Sequence, residues 1–240
     1  MALKTENLSF TYSNCISPVL NEITTTFHEK KLYLLLGPSG CGKSSFTNIL
    51  AGIIPSNING ELKGDILINN KSIIKKNSYE RTLDIGYVMQ DSDTQFCTYI
   101  VEDELLFGLE NLKFSKEEMD NRLNKVLDIL DISDLRQRTL NSLSGGQKQK
   151  VSIASILILD PPVIILDEPT ANLDPVTSIE IFKIINNLKE KYNKTIIIIE
   201  HKLDYLMEYV DYIYLFDKNG YISDEGNPRH IFEYLANTKP

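Results

Sequence analysis

One short glycine-rich stretch limits what this chain can fold into more than any other feature. It has the form G-x-x-x-x-G-K-S followed by serine, and its residues are Gly37-Pro38-Ser39-Gly40-Cys41-Gly42-Lys43-Ser44-Ser45. An apolar run at 32–36 predicts a strand before it, and residues 46–51 predict a helix after it. An ordinary glycine turn could also join these elements. The pattern in this setting favours a phosphate-binding loop, because glycines let successive backbone N–H groups point at phosphate oxygens.

Two side chains at the end of this phosphate loop (residues 37–45) have the chemistry that a bound nucleotide needs. Lys43 can reach the outer phosphates, and the hydroxyl of Ser44 can ligate Mg²⁺. The N-terminus of the following helix adds partial positive charge at the same place. The sequence therefore predicts nucleotide binding, while the loop alone leaves open which kind of nucleotide-dependent protein this is.

The composition narrows the class of protein. At 240 residues, 42% hydrophobic and 24% charged, the chain can bury the core of one large domain. A net charge of -8 disfavours a surface built for nucleic acid. The three cysteines, Cys15, Cys41 and Cys97, lack metal-ligand spacing and favour a reducing compartment. The apolar runs are far shorter than the roughly 20 residues that span a bilayer, so we expect a soluble chain that reaches any membrane through a partner.

Strand and helix signals alternate along the chain. Apolar runs predict β structure within 3–36 and strands at 65–69, 85–89, 162–167, 195–199 and 212–216. Residues 93–155 predict a helical lobe, in which Ser115 and Glu118 form a capping box. We expect a short helix after residue 201 and a hairpin at 219–220. This order predicts a mainly parallel sheet covered by helices.

Two acidic residues, Asp167 and Glu168, follow the apolar strand at 163–166. Ligands of open parallel sheets bind at this end of the strands, where an aspartate can hold the Mg²⁺ that bridges phosphates. The adjacent Glu168 can polarise an attacking water as a general base. The alternative is a helix cap or a solvated turn, which the phosphate loop in the same chain disfavours.

A second distinctive feature is the stretch Leu143-Ser144-Gly145-Gly146-Gln147. In one interpretation Ser144 caps a helix and Gln147 completes a capping box. That interpretation leaves the two glycines unexplained, since glycine in a helix costs about 0.5–1 kcal/mol relative to alanine. The glycines are explained if the start of the helix approaches a phosphate closely.

Together, the phosphate loop, the stretch at 143–147 and the acidic pair resemble the ATP-binding subunits of ABC transporters, over nearly the whole chain and in the family's order. The resemblance implies an α/β fold with a P-loop NTPase (RecA-like) core, an N-terminal antiparallel β subdomain and an inserted helical subdomain. It implies a single ABC ATPase domain over 1–240, with the core in 1–92 and 156–240 and the helical signature subdomain in 93–155. It also implies ATP and Mg²⁺ as cofactors and ATP hydrolysis as the activity.

The resemblance assigns catalytic roles to Glu168, His201 and Gln90, which match the family's base, switch histidine and metal- and water-sensing glutamine. It assigns the Mg²⁺ ligands to Ser44, Gln90 and Asp167. His201 also fits a satisfied histidine at the end of a strand. Its position after the isoleucine-rich strand favours the catalytic role.

The resemblance further implies a site shared by two chains. The signature stretch (residues 143–147) of one subunit closes over ATP held by the phosphate loop of the other, so that Ser144, Gly145 and Gly146 contact the γ-phosphate. Asp174 lies in the loop that joins the two sites, although it could merely cap a helix. Tyr12 matches the aromatic that stacks on adenine, although it could be a core aromatic of its strand.

Two further stretches, residues 88–96 and 101–111, resemble one branch of the family, the energy-coupling-factor transporters, and residues 200–204 resemble the same group. Asp91 and Ser92 stand where that group usually has asparagine and proline. Lys150 stands where arginine is usual and lacks the bidentate fork of a guanidinium. We expect Asp91 and Ser92 to change how the loop seats the coupling subunit, while the nucleotide motifs are intact.

The branch implies particular partners. They are a second ATPase subunit in a homo- or heterodimer, a transmembrane coupling subunit, and a substrate-binding membrane protein for a vitamin or a transition-metal ion, with no nucleic acid. The chain would then power uptake as a peripheral protein at the cytoplasmic face of the cell membrane.

The alternatives are the ATPase of another ABC importer or exporter, and a soluble ABC ATPase of DNA repair or translation. A nucleoside or shikimate-type kinase would have the phosphate loop but no signature stretch.

Overall fold

Strands and helices alternate through residues 3–238, the part of the chain that the computed structural model describes; residues 1–2 and 239–240 of the predicted domain lie outside it. The strands are β1 (Leu3–Tyr12), β2 (Leu20–Phe27), β3 (Leu32–Leu36), β4 (Gly60–Ile68), β5 (Lys71–Ser72), β6 (Ile85–Val88), β7 (Val163–Asp167), β8 (Thr195–Ile199), β9 (Tyr212–Phe216) and β10 (Ile222–Gly226). The helices are α1 (Lys43–Leu50), α2 (Ile53–Ser56), α3 (Ser78–Arg81), α4 (Ser92–Gln95), α5 (Val101–Asn111), α6 (Lys116–Leu130), α7 (Gly145–Leu157), α8 (Pro175–Glu190) and α9 (Pro228–Thr238). None of the helices between residues 3 and 238 is both long enough and apolar enough to cross a bilayer.

The larger sheet has the strand order β10-β9-β3-β8-β7-β6, in which only β10 is antiparallel to its neighbour. Strands β7 and β8 are buried along their whole length, as expected for apolar strands covered on both faces. Because β3, β8, β7 and β6 are parallel neighbours, the segments that follow them start at one edge of the sheet. That edge brings together the phosphate loop and the residues that follow Asp167, Ile199 and Val88.

Apolar layers cover both faces of this sheet. Leu32 and Leu34 of β3 pack in one layer with side chains of α5, α6, α7 and α8. Tyr33 and Leu35 pack in the other layer with α1 and with a smaller antiparallel sheet of order β2-β1-β4-β5. The predicted α/β fold with an antiparallel N-terminal sheet is therefore confirmed.

Strand β4 differs from the prediction because it begins at Gly60, well before residue 65. Gly64 lies inside the strand at φ +92, where a Cβ atom would lie 2.5 Å from the carbonyl oxygen of Asn7 on β1. The pairing of β1 with β4 shifts register here, between Glu6 and Ser9. Gly64 thus lies at an irregularity in the pairing of β1 with β4, and the strand continues through it.

The end of the chain also differs. Residues 202–211 form isolated turns, such as the bond from Leu206 N–H to Leu203 O (3.1 Å), and not the expected short helix. The strand at 212–216 and the hairpin with β10 are confirmed, but α9 follows them and was not predicted. Pro228 at its start and the apolar spacing of Ile231, Tyr234 and Leu235 are signals that could have identified it.

The helical lobe departs from the prediction at the start of α6. Ser115 Oγ accepts a bond from Glu118 N (3.3 Å), but the carboxylate of Glu118 pairs with Arg122 (3.0 Å), so the capping box is half formed. Helix α7 continues to Leu157, past the predicted boundary at 155. The subdomain boundaries remain predictions.

A buried arginine anchors the helix that follows the phosphate loop. Arg81 is 1% exposed and donates to Ile49 O (2.6 Å) and Leu50 O (3.1 Å) at the C-terminal end of α1. It also donates to Ile74 O (3.0 Å) and Lys76 O (2.9 Å). Since the last carbonyls of a helix lack partners within it, this guanidinium satisfies groups that burial would otherwise leave unpaired.

Candidate active site

The phosphate loop needs glycine at two positions for reasons of space and conformation. Gly37 has φ +150, and a Cβ atom there would lie 2.6 Å from Phe216 O. Gly42 has φ +100, and a Cβ atom there would lie 2.8 Å from Val19 O. Because glycine has no Cβ atom, the loop can pass this close to its neighbours between β3 and α1.

Lys43 lies across this loop. Its Nζ donates to Gly37 O (2.8 Å) and Pro38 O (2.9 Å), and the residue is 6% exposed. Cys41 is also buried, with its Sγ 3.8 Å from the same Nζ. The ammonium is therefore held at the loop by neutral carbonyl groups.

Asp167, at the end of β7, is held by two hydroxyl groups. Ser44 Oγ donates to its Oδ1 (3.3 Å), and Tyr87 OH donates to its Oδ2 (3.0 Å). Burial raises the pKa of Asp167, and these two hydrogen bonds act in the opposite direction. Tyr87 was not predicted as a site residue; its place in β6, beside β7 and just before Gln90, is the signal that could have identified it.

The three predicted catalytic residues lie together. Gln90 Nε2 donates to Glu168 Oε2 (2.9 Å), and His201 Nε2 lies 3.2 Å from Glu168 Oε1. Glu168 has a left-handed backbone (φ 48), which is uncommon for a residue other than glycine. Its N–H donates to Ile199 O (2.9 Å), so β8 holds the backbone from which the carboxylate projects.

A cavity of about 340 Å³ lies between the phosphate loop and the side chains of Glu168 and His201. Its lining includes Tyr12, Glu168 and His201, with the loop residues Ser39, Gly40, Gly42, Lys43, Ser44 and Ser45. Tyr12 OH and Ser45 Oγ lie 2.7 Å apart, and the half-buried ring packs edge-on against Phe10. Tyr12 thus contacts the core and also lines the cavity, so the structure allows both interpretations of it.

The signature stretch begins α7 with the predicted capping box. Ser144 Oγ accepts from Gln147 N (3.3 Å), and Gln147 Oε1 accepts from Ser144 N (3.0 Å), while Leu143 is buried beside them. A Cβ atom at Gly146 would lie 2.4 Å from Thr177 Cγ2 on α8. Close packing within the chain is therefore one reason for glycine at 146, which the sequence interpretation missed.

Within the described part of the chain, no residue of the signature stretch lines the phosphate cavity. Gly145 instead lines a cavity of about 80 Å³ together with Gln90, Asp91 and Leu173. The structure of one chain thus places the signature stretch beside the Gln90 loop and apart from the phosphate loop. Its predicted contact with a nucleotide held by a second chain remains a prediction.

Asp174 caps α8. Its Oδ1 accepts from Val176 N (3.0 Å) and Thr177 N (3.1 Å), and its Oδ2 accepts from Thr177 Oγ1 (2.5 Å). The hydrogen bond from the Thr177 hydroxyl is the main cause of a lowered pKa of Asp174. The capping role is confirmed, and the role at an interface remains a prediction.

The loop after Gln90 is tied to α7 by hydrogen bonds that the sequence did not predict. Gln95 donates to Ser152 O (3.1 Å) and accepts from Met89 N (3.0 Å). Ser92 donates to Gln149 (2.7 Å). A displacement of this loop would therefore strain its hydrogen bonds to α7, the helix that carries the signature stretch.

Comparisons with known proteins fit this geometry. A family pattern described as "ABC transporter" matches residues 20–171. YkoD of Bacillus subtilis (strain 168), provisionally named an HMP/thiamine import ATP-binding protein, is 40% identical over 237 residues, which is 98% of this chain and 43% of YkoD. The chain thus spans less than half the length of that relative.

Solved structures extend the likeness to the fold. The structure of cbiO1 from Clostridium perfringens, described as part of the ABC transporter complex cbiONQ, has a TM-score of 0.85 and 33% identity, covering 97% of this chain and 91% of cbiO1. A bacterial ABC transporter cassette solved as a dimer has a TM-score of 0.79 and 25% identity, covering 94% of this chain and 98% of the other. A family match over more than half of the sequence, on a fold that follows solved cassettes almost from end to end, makes this chain a member of the ABC transporter family.

Proposed function

We propose that this chain is the subunit that binds and hydrolyses ATP to power uptake through a membrane ABC transporter of the energy-coupling-factor type. The observation that carries the proposal is the environment of Glu168. Its two carboxylate oxygens lie 2.9 Å from Gln90 Nε2 and 3.2 Å from His201 Nε2, at the sheet edge that also holds the phosphate loop. A carboxylate so placed can accept the proton of a water that attacks the terminal phosphate.

Each neighbour of Glu168 has a definite task in this mechanism. A general base contributes typically 10²–10⁴-fold to a rate, provided that it is correctly oriented. Gln90 and His201 fix the orientation from two sides, and the bond from Glu168 N–H to Ile199 O fixes the backbone. Lys43 exchanges the carbonyls of Gly37 and Pro38 for phosphate oxygens, which are stronger acceptors because they are charged.

The donor set fits Mg²⁺. Ser44, Asp167 and Gln90 offer hydroxyl, carboxylate and amide oxygens, which are the ligand types that this ion prefers. Asp167 is 6% exposed and its pKa is raised by burial, so a neighbouring cation would favour its ionised form. When bound, Mg²⁺ neutralises charge on the phosphates. Of the residues that would hold it, Ser44 already contacts Asp167 at the end of β7, and Gln90 contacts the next residue, Glu168.

The active assembly in this proposal contains two such subunits, identical or related. Ser144, Gly145 and Gly146 of one subunit would contact the γ-phosphate held by the phosphate loop of the other, with Asp174 at the junction. Support comes from the placement of the signature stretch away from the cavity of its own chain and from the dimeric cassette with the same fold.

The energy-coupling-factor branch rests on residues 88–96, 101–111 and 200–204, and the names of cbiO1 and YkoD favour it. In this branch a transmembrane coupling subunit would seat its cytoplasmic helices beside residues 90–95. Met89, which is 38% exposed next to Gln90, offers apolar surface for that contact. The chain would then lie at the cytoplasmic face of the cell membrane and serve a substrate-binding membrane protein for a vitamin or a transition-metal ion.

Glu168→Gln tests the hydrolytic part of the proposal. The variant should bind ATP, lose about 100-fold or more of its turnover, and run as an ATP-dependent dimer in size-exclusion chromatography. Glu117→Gln, at an exposed position of α6, is the matched control and should behave as the wild type. Turnover of Glu168→Gln within a few-fold of the wild type would refute the base assignment. Wild-type hydrolysis strictly first-order in protein down to nanomolar concentration would refute the two-chain site.

Isolation from native membranes tests the transport part. The tagged chain should co-purify with an integral membrane subunit, identified by mass spectrometry, in addition to an ATPase subunit. Recovery only as a lone chain, or bound to nucleic acid, would refute this part and leave the hydrolytic part to stand on its own measurement.

A further inference from the structure

We infer that Lys202 is a positioning residue of this site, whose ammonium holds the loop at 170–174 in place relative to His201 and thereby sets the position of the signature stretch. This inference rests on the proposed function, since the loop connects Glu168 to Asp174. Lys202 was part of a stretch that resembled one branch of the family, but no role followed for it from the sequence.

Two short hydrogen bonds tie Lys202 to this loop. Lys202 Nζ donates to Thr170 O (2.7 Å) and to Leu173 O (2.6 Å). Bonds from a charged donor are shorter and stronger than those between neutral groups. One side chain, adjacent in sequence to His201, thus spans the loop from its first turn to the residue before Asp174.

A buried carboxylate holds the near end of the same loop. Glu200 is 2% exposed, and its Oε2 accepts from Thr170 Oγ1 (2.6 Å). Its Oε1 accepts from the N–H groups of His201 (2.7 Å) and Lys202 (3.0 Å). Glu200 therefore fixes the loop at Thr170. Leu173 is held by its own N–H bond to Thr170 O (3.1 Å) and, through its carbonyl, by the ammonium of Lys202.

Leu173 connects this loop to the signature stretch. Its Cδ2 lies 3.3 Å from the position that a Cβ atom on Gly145 would take, so the two residues are in close contact. Without the ammonium, Leu173 keeps its N–H bond to Thr170 O but loses the bond to its carbonyl, so the start of α7 is supported less firmly. The expected consequence is a misplaced signature stretch in a chain whose phosphate loop is unaffected.

The exposure of Lys202 separates this role from ordinary stabilisation. The residue is exposed, and the two carbonyls can bind water when the ammonium is absent. Removing a surface lysine seldom changes the free energy of unfolding much. Catalysis is more sensitive, because a displacement of about 1 Å can cost about 100-fold in rate.

The test compares Lys202→Met with Lys202→Arg and with Lys183→Met, which removes an exposed lysine of α8, all in the full chain. Lys202→Met should lower kcat for ATP hydrolysis about 10-fold while KM, nucleotide affinity of the single chain and the thermal midpoint stay near wild type. Lys202→Arg keeps a charged donor and should recover most of the loss. Lys183→Met should match the wild type.

A second measurement does not depend on hydrolysis. In the E168Q background, Lys202→Met should raise about 10-fold the protein concentration needed for the ATP-dependent dimer, and Lys183→Met should not. The inference is wrong if Lys202→Met equals Lys183→Met in both assays, if Lys202→Arg is as defective as Lys202→Met, or if nucleotide affinity and thermal midpoint fall together with kcat. If the wild type does not hydrolyse ATP and the E168Q variant, with Lys202 intact, does not dimerise with ATP, the proposed function fails instead.

Discussion

Replacing Gly146 by alanine would put a methyl group 2.4 Å from Cγ2 of Thr177, well inside van der Waals contact. Thr177 cannot turn away without loss, because its Oγ1 donates to Asp174 Oδ2 (2.5 Å) at the N-cap of α8. The two helices would therefore have to separate. The contact lies at the start of α7, where the signature stretch begins.

The size of the effect follows from two opposing contributions. Inserting a methyl group into a packed contact costs typically about 1–3 kcal/mol, and exchanging helical glycine for alanine returns up to about 1 kcal/mol. We expect Gly146→Ala to lower the free energy of unfolding by roughly 1–2 kcal/mol. Gly145→Ala is the matched control, because its Cβ atom would lie 3.3 Å from the flexible end of Leu173. It should be neutral or slightly stabilising.

A double-mutant cycle in urea measures the contact itself. Thr177→Ser removes Cγ2 and keeps the hydroxyl that bonds to Asp174, so it should restore most of the stability lost in Gly146→Ala. ATP hydrolysis of the double variant then separates two reasons for the glycine. Recovery of stability without recovery of activity is expected if Gly146 also approaches a phosphate. Additive effects of the two substitutions on stability would refute the packing argument.

Three further predictions concern single residues. Tyr87→Phe removes a hydrogen bond to Asp167 and should lower the free energy of unfolding, measured in urea, by about 1–3 kcal/mol at pH 7. Because that bond lowers the pKa of Asp167, the loss of stability should shrink as the pH falls and the carboxyl is protonated. A loss that does not depend on pH would contradict this. Arg81→Lys loses the guanidinium that donates to four backbone carbonyls and should lower the free energy of unfolding by about 2–4 kcal/mol in the same assay. A decrease of less than about 1 kcal/mol would contradict the anchoring role. Asp174 has a lowered pKa, so its ionised carboxylate stabilises α8 above the ordinary pKa of 3.8, and this stabilisation is lost as the pH falls through the lower pKa of the folded state. The difference in free energy of unfolding between wild type and Asp174→Asn should therefore be present at pH 7 and disappear in acid. A difference that stays constant with pH would rule this out.

Short-range features of the site were predictable because their physical causes lie within a few residues of sequence. The capping box of Ser144 and Gln147 and the cap of Asp174 before a helical proline involve hydrogen bonds between near neighbours. The predicted start of a strand at residue 65 was wrong, because β4 begins at Gly60, which pairs with Tyr12 on β1. The sequence interpretation also explained Gly146 by a phosphate alone, because no residue near it in sequence indicates the contact with Thr177.

The sequence by itself determined the general order of strands and helices, because apolar periodicity dictates it. The phosphate loop and the acidic pair after a buried strand were evident as short residue patterns, and the signature stretch was identified by its resemblance to the family. Only the tertiary structure decided that Tyr87 supports Asp167, eighty positions away, and that Lys202 reaches Leu173. Such contacts depend on which strands become neighbours in the sheet and on the angle at which α7 meets α8. The phosphate loop was evident from its own residues, whereas the surroundings that make it a candidate active site come from segments brought to one sheet edge by strand order.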